Sequence, residues 1–199
     1  MHERIRKAAF LDRDGVINVD AGYVWRIEDF EFVPGTLDAC RDLVRRGWLL
    51  VVATNQSGIG RGLYTTRDFH ALTDWMRARF EEAGAPLAGV YHCPHHPTDA
   101  EGELRIRCEC RKPRPGMLFA AARELSLDLA RSVMFGDKCD DLEAATAAQI
   151  GQRVLLAKDG LAPLLRDCAP GLATARFASL REAVASRQLA PILGEAIDA

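Results

Sequence analysis

The feature that most constrains this chain is the alternation of short, continuously apolar segments with amphipathic ones. Residues 48–53 (WLLVVA) form one such apolar run, which ends on Thr54. A short run without alternating polar positions is typical of a strand buried on both faces of a sheet. Because strands of this kind alternate with helical patterns along the chain, we expect an α/β fold in which helices cover both faces of a parallel sheet.

Turn and capping signals mark where the other elements begin and end. Thr36 is predicted to cap one helix, Thr65 or Thr66 to cap the next, and Pro115 to open a third. The tail from about residue 179 to residue 199 predicts one amphipathic helix followed by a loose end. Further strands are predicted at residues 8–12, 90–91, 132–135 and 153–156, and a fourth helix ends at about residue 148.

The chain is expected to form one domain over residues 1–199. No internal repeat or low-complexity linker divides it, and 199 residues are enough to enclose a buried core. The segment at about 92–112 interrupts the strand and helix pattern and is rich in cysteine, histidine and charge. No insertion is long enough to predict a separate cap domain.

The net charge of −2 gives no electrostatic reason to expect a nucleic acid or an acidic membrane as a partner. No apolar run approaches the roughly 18 residues of a membrane span. The basic start, MHERIRKAAF, leads directly into LDRDG without the apolar stretch of a signal peptide. We therefore expect a cytoplasmic monomer that acts on a small molecule.

Two carboxylates, Asp12 and Asp14, follow the first predicted strand in the segment FLDRDGVIN. An aspartate can attack a phosphoryl group and form an aspartyl-phosphate. A second carboxylate nearby can protonate the leaving alkoxide and then activate water. A D-x-D-G turn also occurs in calcium loops, but residues 12–23 lack the glutamate that such a loop carries at its twelfth position. Alone, this segment indicates a phosphoryl-transfer site and a surface turn equally.

Asp137 also ends a predicted strand, in the segment FGDKCDDLEAA. Because ligands bind beyond the carboxyl ends of parallel strands, we expect it to lie near Asp12. Asp12, the backbone carbonyl of Asp14 and Asp137 would provide enough protein oxygens for Mg²⁺, which keeps several waters. Asp141 is expected either to support this site or to stabilise the N-terminus of the following helix.

Phosphoryl transfer also needs cations and hydrogen-bond donors around the equatorial oxygens. Thr54 and Asn55 offer a hydroxyl and an amide at the end of a buried strand, before the turn-like QSGIG. Arg111 and Lys112 precede Pro113 and can supply one fixed ammonium, although a solvated basic pair is the alternative for them. Taken in order, the motifs provide the acids and cations that this chemistry requires.

Three of the six cysteines lie close to histidines in the segment at 92–112. CPHH and CEC together provide three thiolates and an imidazole, which is a complete tetrahedral set for structural zinc. Chemistry alone leaves His92, His95 and His96 as candidates for the imidazole. Free thiols or a disulfide framework are the alternatives, and a cytoplasmic chain makes disulfides a weak expectation. The remaining cysteines are expected to be structural or incidental thiols: Cys40, Cys139 and Cys168.

Together the motifs resemble those of the haloacid dehalogenase-like phosphatases. The segments FLDRDGVIN, TNQSGIGRG, CPHH with CECRKPRPGM, and FGDKCDDLEAA are most similar to a subgroup of sugar bisphosphate phosphatases and to the related histidinol-phosphate phosphatase domains. The match spans about residues 8–160. It implies a phosphoric monoester hydrolase with a Rossmann-like haloacid dehalogenase fold, a zinc-binding loop and no large cap domain.

The resemblance also implies roles for individual residues. Asp12 would be the nucleophile and Asp14 the general acid and base, while Thr54 and Lys112 would stabilise the transferring phosphoryl group. The Mg²⁺ ligands would be Asp12, Asp14 and Asp137. The ligands of a structural Zn²⁺ would be Cys93, His95, Cys108 and Cys110. Substrate would be bound by Asp20, Gly22, Tyr23, Asn55, Gln56, Ser57, Arg111 and Lys138. Ala21 departs from the bulkier residue expected within the substrate-binding stretch.

The implied substrate is a small phosphorylated sugar, and histidinol phosphate is the alternative. A polynucleotide phosphatase would need an electropositive track, which the net charge of −2 does not suggest. A non-catalytic, zinc-stabilised binding module would tolerate the loss of Asp12 or Asp14, yet both are present together with the cations.

Overall fold

The fold is organised around a parallel sheet at the centre of the chain. The computed structural model describes residues 6–157 and 168–194, and within these ranges six strands pair in parallel throughout. The strands are β1 (Ala8–Leu11), β2 (Leu49–Asn55), β3 (Leu87–Cys93), β4 (Val133–Gly136), β5 (Gln152–Leu156) and β6 (Ala175–Phe177). Their order across the sheet is β3-β2-β1-β4-β5-β6, which confirms the predicted parallel α/β architecture.

Helices cover both faces of this sheet. They are α1 (Thr36–Arg45), α2 (Ser57–Gly60), α3 (Thr66–Glu82), α4 (Gly116–Leu125), α5 (Cys139–Ala147), α6 (Leu180–Ala185) and α7 (Ala190–Leu193). Successive side chains of a strand point to opposite faces, so Leu50 and Val52 pack with α1, α3 and α6, while Val51 and Ala53 pack with α4 and α5. Over the described ranges, no helix is long and apolar enough to cross a membrane, and no large cap domain is present.

The strand order places a topological switch at the carboxyl end of β1. The chain runs from β1 outward through β2 to β3, and then returns to the other side of β1 to form β4. The connections diverge at this point and leave a crevice beyond the carboxyl ends of β1 and β4, where ligands bind in open α/β sheets. Asp12 directly follows β1 and Asp137 directly follows β4. The two predicted carboxylates therefore meet at the crevice.

Of two predicted helix N-caps, the structure confirms the one at α3 and contradicts the one at α1. Thr65 caps α3 through a reciprocal capping box with Asp68, as one of the two predicted alternatives. The prediction that Thr36 caps α1 is wrong, because Gly35 is the N-cap and Thr36 is the first helical residue. Thr36 is buried, and its hydroxyl donates to the carbonyl oxygen of Val16. Its role is to tie α1 to the segment that follows the two aspartates.

The tail differs from its prediction. Instead of one helix from residue 179, the chain forms two short helices, α6 and α7, and the edge strand β6, which was not predicted, precedes them. Three residues are too few for periodicity to reveal a strand such as β6. Trp48 Nε1 donates to the carbonyl oxygen of Leu193 at 2.8 Å, which ties α7 to the start of β2. The predicted loose end at residues 195–199 lies outside the described residues.

Cys139 and Cys168 form a disulfide bond that joins the first residue of α5 to the segment before β6. The expectation of thiols at these two positions is therefore wrong, whereas Cys40 is a free and fully buried thiol. The bonded cysteines are 29 residues apart in sequence. Cysteine spacing alone does not indicate which residues the fold brings within bonding distance.

Candidate active site

Asp12 lies at the floor of the crevice where β1 ends. Its backbone N–H donates to the carbonyl oxygen of Phe135 in β4 at 3.1 Å, so the sheet itself sets its position. The residue is only 5% exposed. Burial raises the pKa of Asp12, and the neighbouring ammonium of Lys112 opposes that rise. A carboxylate held in this way beside a cation can serve as a nucleophile.

Lys112 is the cation that the fold buries against Asp12. Its Nζ lies 3.0 Å from Asp12 Oδ1 and 2.5 Å from Asp141 Oδ1, and it donates to the carbonyl oxygen of Ala53 at 2.7 Å. Burial acts to lower the pKa of Lys112, but the carboxylates of Asp12 and Asp141 outweigh burial and raise it. The ammonium therefore stays charged. In the predicted basic pair, Lys112 is the residue that supplies the fixed ammonium.

The amide of Asn55 holds the backbone of Lys112. Asn55 Nδ2 donates to the Lys112 carbonyl oxygen at 3.0 Å, and Asn55 Oδ1 accepts from the Lys112 N–H at 3.0 Å. This reciprocal pair joins the end of β2 to the segment at 92–112. Asn55, which was predicted to bind substrate, thus also positions the buried cation.

The carboxylate of Asp14 is held from three directions beside the crevice. Arg13 Nη2 lies 2.9 and 3.0 Å from its two oxygens, Asn18 Nδ2 donates to Oδ1 at 3.0 Å, and Gln56 Nε2 donates to Oδ2 at 3.0 Å. Arg13 is 2% exposed and also donates to the carbonyl oxygen of Val24. These contacts hold the carboxylate in one orientation, and it is not part of the group that Asp12, Asp137 and Asp141 form.

Three residues that hold this site were not identified from the sequence: Arg13, Asn18 and Tyr64. Arg13 stands between two acids, a position where local pattern predicts a solvated side chain, and its burial depends on the loop that carries Val24. Asn18 lies within the recognised FLDRDGVIN segment, which was the available signal. Tyr64 donates to Gln56 Oε1 at 2.6 Å, and no local pattern indicates that contact.

A group of three carboxylates forms the floor of the crevice: Asp12, Asp137 and Asp141, with oxygens within 4.8 Å of one another. Asp137 Oδ1 is buried and has no hydrogen-bond partner among the described residues. Burial, together with the charge of Asp12, raises the pKa of Asp137 to about 8. The Asp141 carboxylate is already engaged by Lys112 and by the backbone N–H of Lys138. Asp12 and Asp137 are therefore the oxygen donors that fit a divalent cation.

Gly15 keeps the space next to this carboxylate group open. Its φ is +89°, and a Cβ atom at this position would lie 2.1 Å from Asp137 Oδ2. A side chain here would both strain the turn and displace the carboxylate. The glycine of the D-x-D-G segment is thus required by the site as well as by the turn.

Cys93, His95, Cys108 and Cys110 form a second group, and their ligand atoms lie within 4.8 Å of one another. The three Sγ atoms are 3.2 to 3.5 Å apart, and His95 Nδ1 lies 3.3 Å from Cys110 Sγ and 3.6 Å from Cys93 Sγ. These separations are close to the edges of a tetrahedron with zinc–sulfur bonds of about 2.3 Å. The residues therefore fit a four-coordinate zinc ion.

The structure separates His95 from the other two candidate histidines. His96 Nδ1 accepts from the backbone N–H of Asp99 at 3.0 Å, and the ring of His92 lies 4.2 Å from that of Phe69, centroid to centroid. His95 alone among the three faces the thiols. Its backbone carbonyl oxygen also accepts from Arg111 Nη1 at 3.2 Å, so the same loop holds the guanidinium of Arg111.

A polar cleft of about 280 Å³ opens above Asp14. All eight residues predicted to bind substrate line it, together with Asp14, Tyr64 and Asp140. Lys138 Nζ lies 3.0 Å from Asp20 Oδ2 at its rim. Burial acts to lower the pKa of Lys138, but the surrounding carboxylates, beginning with Asp137, raise it. The cleft is of a size that suits a small metabolite.

Comparisons with known proteins agree with this geometry. A family model described as HAD-hydrolase-like matches residues 109–166. The D-glycero-beta-D-manno-heptose-1,7-bisphosphate 7-phosphatase of Yersinia pestis is 52% identical over 149 residues, covering 75% of this chain and 79% of that protein. The protein of the same name from Escherichia coli K12 is also 52% identical, with coverage of 75% and 78%.

A solved structure shares the fold over most of both chains. The D,D-heptose 1,7-bisphosphate phosphatase from B. bronchiseptica, complexed with magnesium and phosphate, matches with a TM-score of 0.77 at 33% identity and covers 89% of this chain and 96% of that one. The chain belongs to the haloacid dehalogenase-like phosphatases, and in sequence it groups with the heptose bisphosphate phosphatases. It is accordingly a phosphoric monoester hydrolase.

Proposed function

We propose that this chain removes the 7-phosphate of D-glycero-D-manno-heptose 1,7-bisphosphate, with Mg²⁺, through an aspartyl-phosphate on Asp12. The observation that carries the chemistry is the buried pair of Asp12 Oδ1 and Lys112 Nζ, 3.0 Å apart. Asp12 directly follows β1 and stands two residues before Asp14, which lines the polar cleft. Relatives about half identical in sequence and named for this substrate support the heptose. The product would serve the formation of nucleotide-activated heptose for lipopolysaccharide cores.

The reaction proceeds in two displacements. An oxygen of Asp12 attacks the phosphorus of the 7-phosphate, the bond to the sugar oxygen breaks, and that oxygen takes a proton from Asp14. Asp14 then accepts a proton from a water molecule, whose oxygen attacks the phosphoryl group on Asp12. The Asp12 carboxylate is regenerated, inorganic phosphate leaves, and Asp14 again carries its proton.

The residues around Asp12 stabilise the charge that develops on the phosphoryl oxygens. Lys112 supplies a fixed ammonium, and Thr54 supplies a hydroxyl from the end of β2. Asp12, Asp137 and the backbone carbonyl of Asp14 would hold Mg²⁺, whose charge neutralises the phosphoryl oxygens when it is bound. The Asp141 carboxylate holds Lys112 in place.

Arg111 is the feature of the cleft that favours a bisphosphate over histidinol phosphate. Arg111 and Lys138 both line the cleft, and neither is buried in the floor. Lys138 is paired with Asp20, so Arg111 is the cation that would attract a second phosphate group, whereas histidinol phosphate brings a positively charged amine to the same place. The expected preference for the heptose bisphosphate over histidinol phosphate is therefore electrostatic.

Steady-state kinetics with Mg²⁺ test this assignment. We expect kcat/KM for the heptose bisphosphate to exceed that for histidinol phosphate by at least about 100-fold, with loss of the 7-phosphate identified by ³¹P NMR. Arg111→Met should reduce this preference, while Arg123→Met, on the exposed side of α4, should preserve it. Equal kcat/KM for both substrates would contradict the assignment of the heptose bisphosphate as substrate, but it would not contradict the proposed phosphatase reaction.

The zinc group is proposed to be structural, because its four protein ligands leave no open position for substrate. Cys110→Ser, or chelation of the metal, is expected to disorder the segment at 92–112 and reduce kcat/KM at least about tenfold, since this segment carries Arg111 and Lys112. Metal analysis, limited proteolysis and phosphate release measure the effect, and Cys40→Ala should retain zinc. Unchanged turnover in demonstrably zinc-free protein would contradict the proposal.

A further inference from the structure

A chain of buried hydrogen bonds runs from Tyr64 to two polar groups of the phosphoryl site. Tyr64 Oη donates to Gln56 Oε1 at 2.6 Å. Gln56 Nε2 donates to Asp14 Oδ2 at 3.0 Å and to Thr54 Oγ1 at 2.8 Å. Gln56 is 2% exposed and Tyr64 6% exposed. Because both hydrogens of the Gln56 amide are engaged within the protein, this side chain has no donor left for a substrate.

The hydroxyl of Tyr64 decides which way the Gln56 amide points. Burial raises the pKa of Tyr64 to about 12, so the hydroxyl keeps its proton at neutral pH and can donate it. The amide oxygen accepts this proton, and the amide nitrogen is thereby turned toward Asp14 and Thr54. Without the hydroxyl, the amide loses the contact that holds its oxygen away from the Asp14 carboxylate.

The packing around Tyr64 maintains this geometry. Gly58 in α2 approaches the ring so closely that a Cβ atom there would lie 2.1 Å from Tyr64 Cε1. Trp25 stacks on the same ring, with the centroids 6.2 Å apart. The ring is thus held by two separate segments, and its position requires a glycine at residue 58.

We propose that Tyr64 and Gln56 are positioning residues, which hold the carboxylate of Asp14 in the orientation that proton transfer to the leaving group requires. This inference rests on the proposed role of Asp14 as the general acid. It assigns Gln56 a different task from the substrate contact that the family resemblance implies. Tyr64 is not among the residues that the resemblance implies, and it acts on Asp14 through its hydrogen bond to Gln56.

The test measures how strongly the reaction depends on the leaving group. Tyr64→Phe removes the hydroxyl and keeps the ring, and kcat/KM is measured for phosphate monoesters whose leaving groups range from p-nitrophenol to a primary alcohol. Only a poor leaving group needs a proton from Asp14, and kcat/KM reports the steps up to transfer onto Asp12. We expect kcat/KM to fall about tenfold for alkyl esters and less than about twofold for p-nitrophenyl phosphate.

Tyr91→Phe is the matched control, since it removes a hydroxyl that bonds to Glu124 away from the cleft, and it should leave the whole series unchanged. Gln56→Met also removes the hydrogen bond to Thr54, so it should add a uniform loss to the same dependence on the leaving group. This second variant keeps the test available if Tyr64→Phe folds poorly. An equal loss across the series in both variants, or no loss, overturns the positioning role. If Asp14→Asn shows no dependence on the leaving group, the proposed role of Asp14 fails instead.

Discussion

Replacing Asp12 by asparagine is expected to abolish phosphate release, with kcat reduced by at least about four orders of magnitude. An amide does not attack phosphorus, so the first displacement has no nucleophile. The fold should tolerate the change, because burial already raises the pKa of Asp12 and the amide has the same shape. Phosphate release from the heptose bisphosphate and thermal unfolding, measured on the same preparation, check both parts.

Asp74→Asn is the matched control for this substitution, because Asp74 is exposed on α3 and should retain full turnover when changed. Phosphate release that persists in pure Asp12→Asn would remove Asp12 as the nucleophile. A folded Asp12→Asn that still binds substrate but releases no phosphate would exclude the reading of this chain as a non-catalytic binding module.

Replacing Lys112 by methionine is expected to damage both stability and turnover. The carboxylates of Asp12 and Asp141 would remain buried without their shared cation, which should lower the free energy of unfolding by about 3–5 kcal/mol. Loss of the ammonium from the phosphoryl oxygens should also reduce kcat by about 100- to 1,000-fold. Urea denaturation with linear extrapolation measures the first effect, and phosphate release by the folded fraction measures the second.

Lys138→Met separates the effect of burial from that of losing a lysine. Lys138 pairs with Asp20 at the rim, with the two side chains 54% and 35% exposed, so this change should cost less than about 1 kcal/mol of stability. If Lys112→Met lowers the free energy of unfolding no more than Lys138→Met does, the buried contacts of Lys112 with Asp12 and Asp141 do not stabilise the fold.

The fold could be predicted wherever burial imposes a pattern on consecutive residues. A strand covered on both faces is apolar at successive positions, and for that reason the apolar run at residues 48–53 predicts β2. β6 lies at the edge of the sheet, spans three residues and carries an exposed arginine, so it leaves no such pattern. The segment at 92–112 was recognisable by composition, but not by any periodicity.

The geometry of the candidate site could be predicted wherever a candidate residue directly follows a strand. Asp12 and Asp137 were found this way, because parallel strands bring their carboxyl ends to one edge of the sheet. Arg13 was missed because nothing in its neighbours distinguishes a buried guanidinium from a solvated one. The structure buries it by surrounding it with the Asp14 carboxylate and the carbonyl oxygen of Val24.

The sequence by itself determined the class of fold, which carboxylates and cations are present, and that one segment carries the three cysteines and the histidines that a structural zinc site requires. Only the tertiary structure decided that Lys112 is the buried ammonium, that His95 faces the thiols and that Cys139 bonds to Cys168. The tertiary structure also places the amide of Gln56 between the hydroxyl of Tyr64 and the carboxylate of Asp14. The physical reason is that each of these outcomes depends on a contact between segments that local pattern does not relate, and side-chain packing selects among partners that are chemically equivalent in sequence.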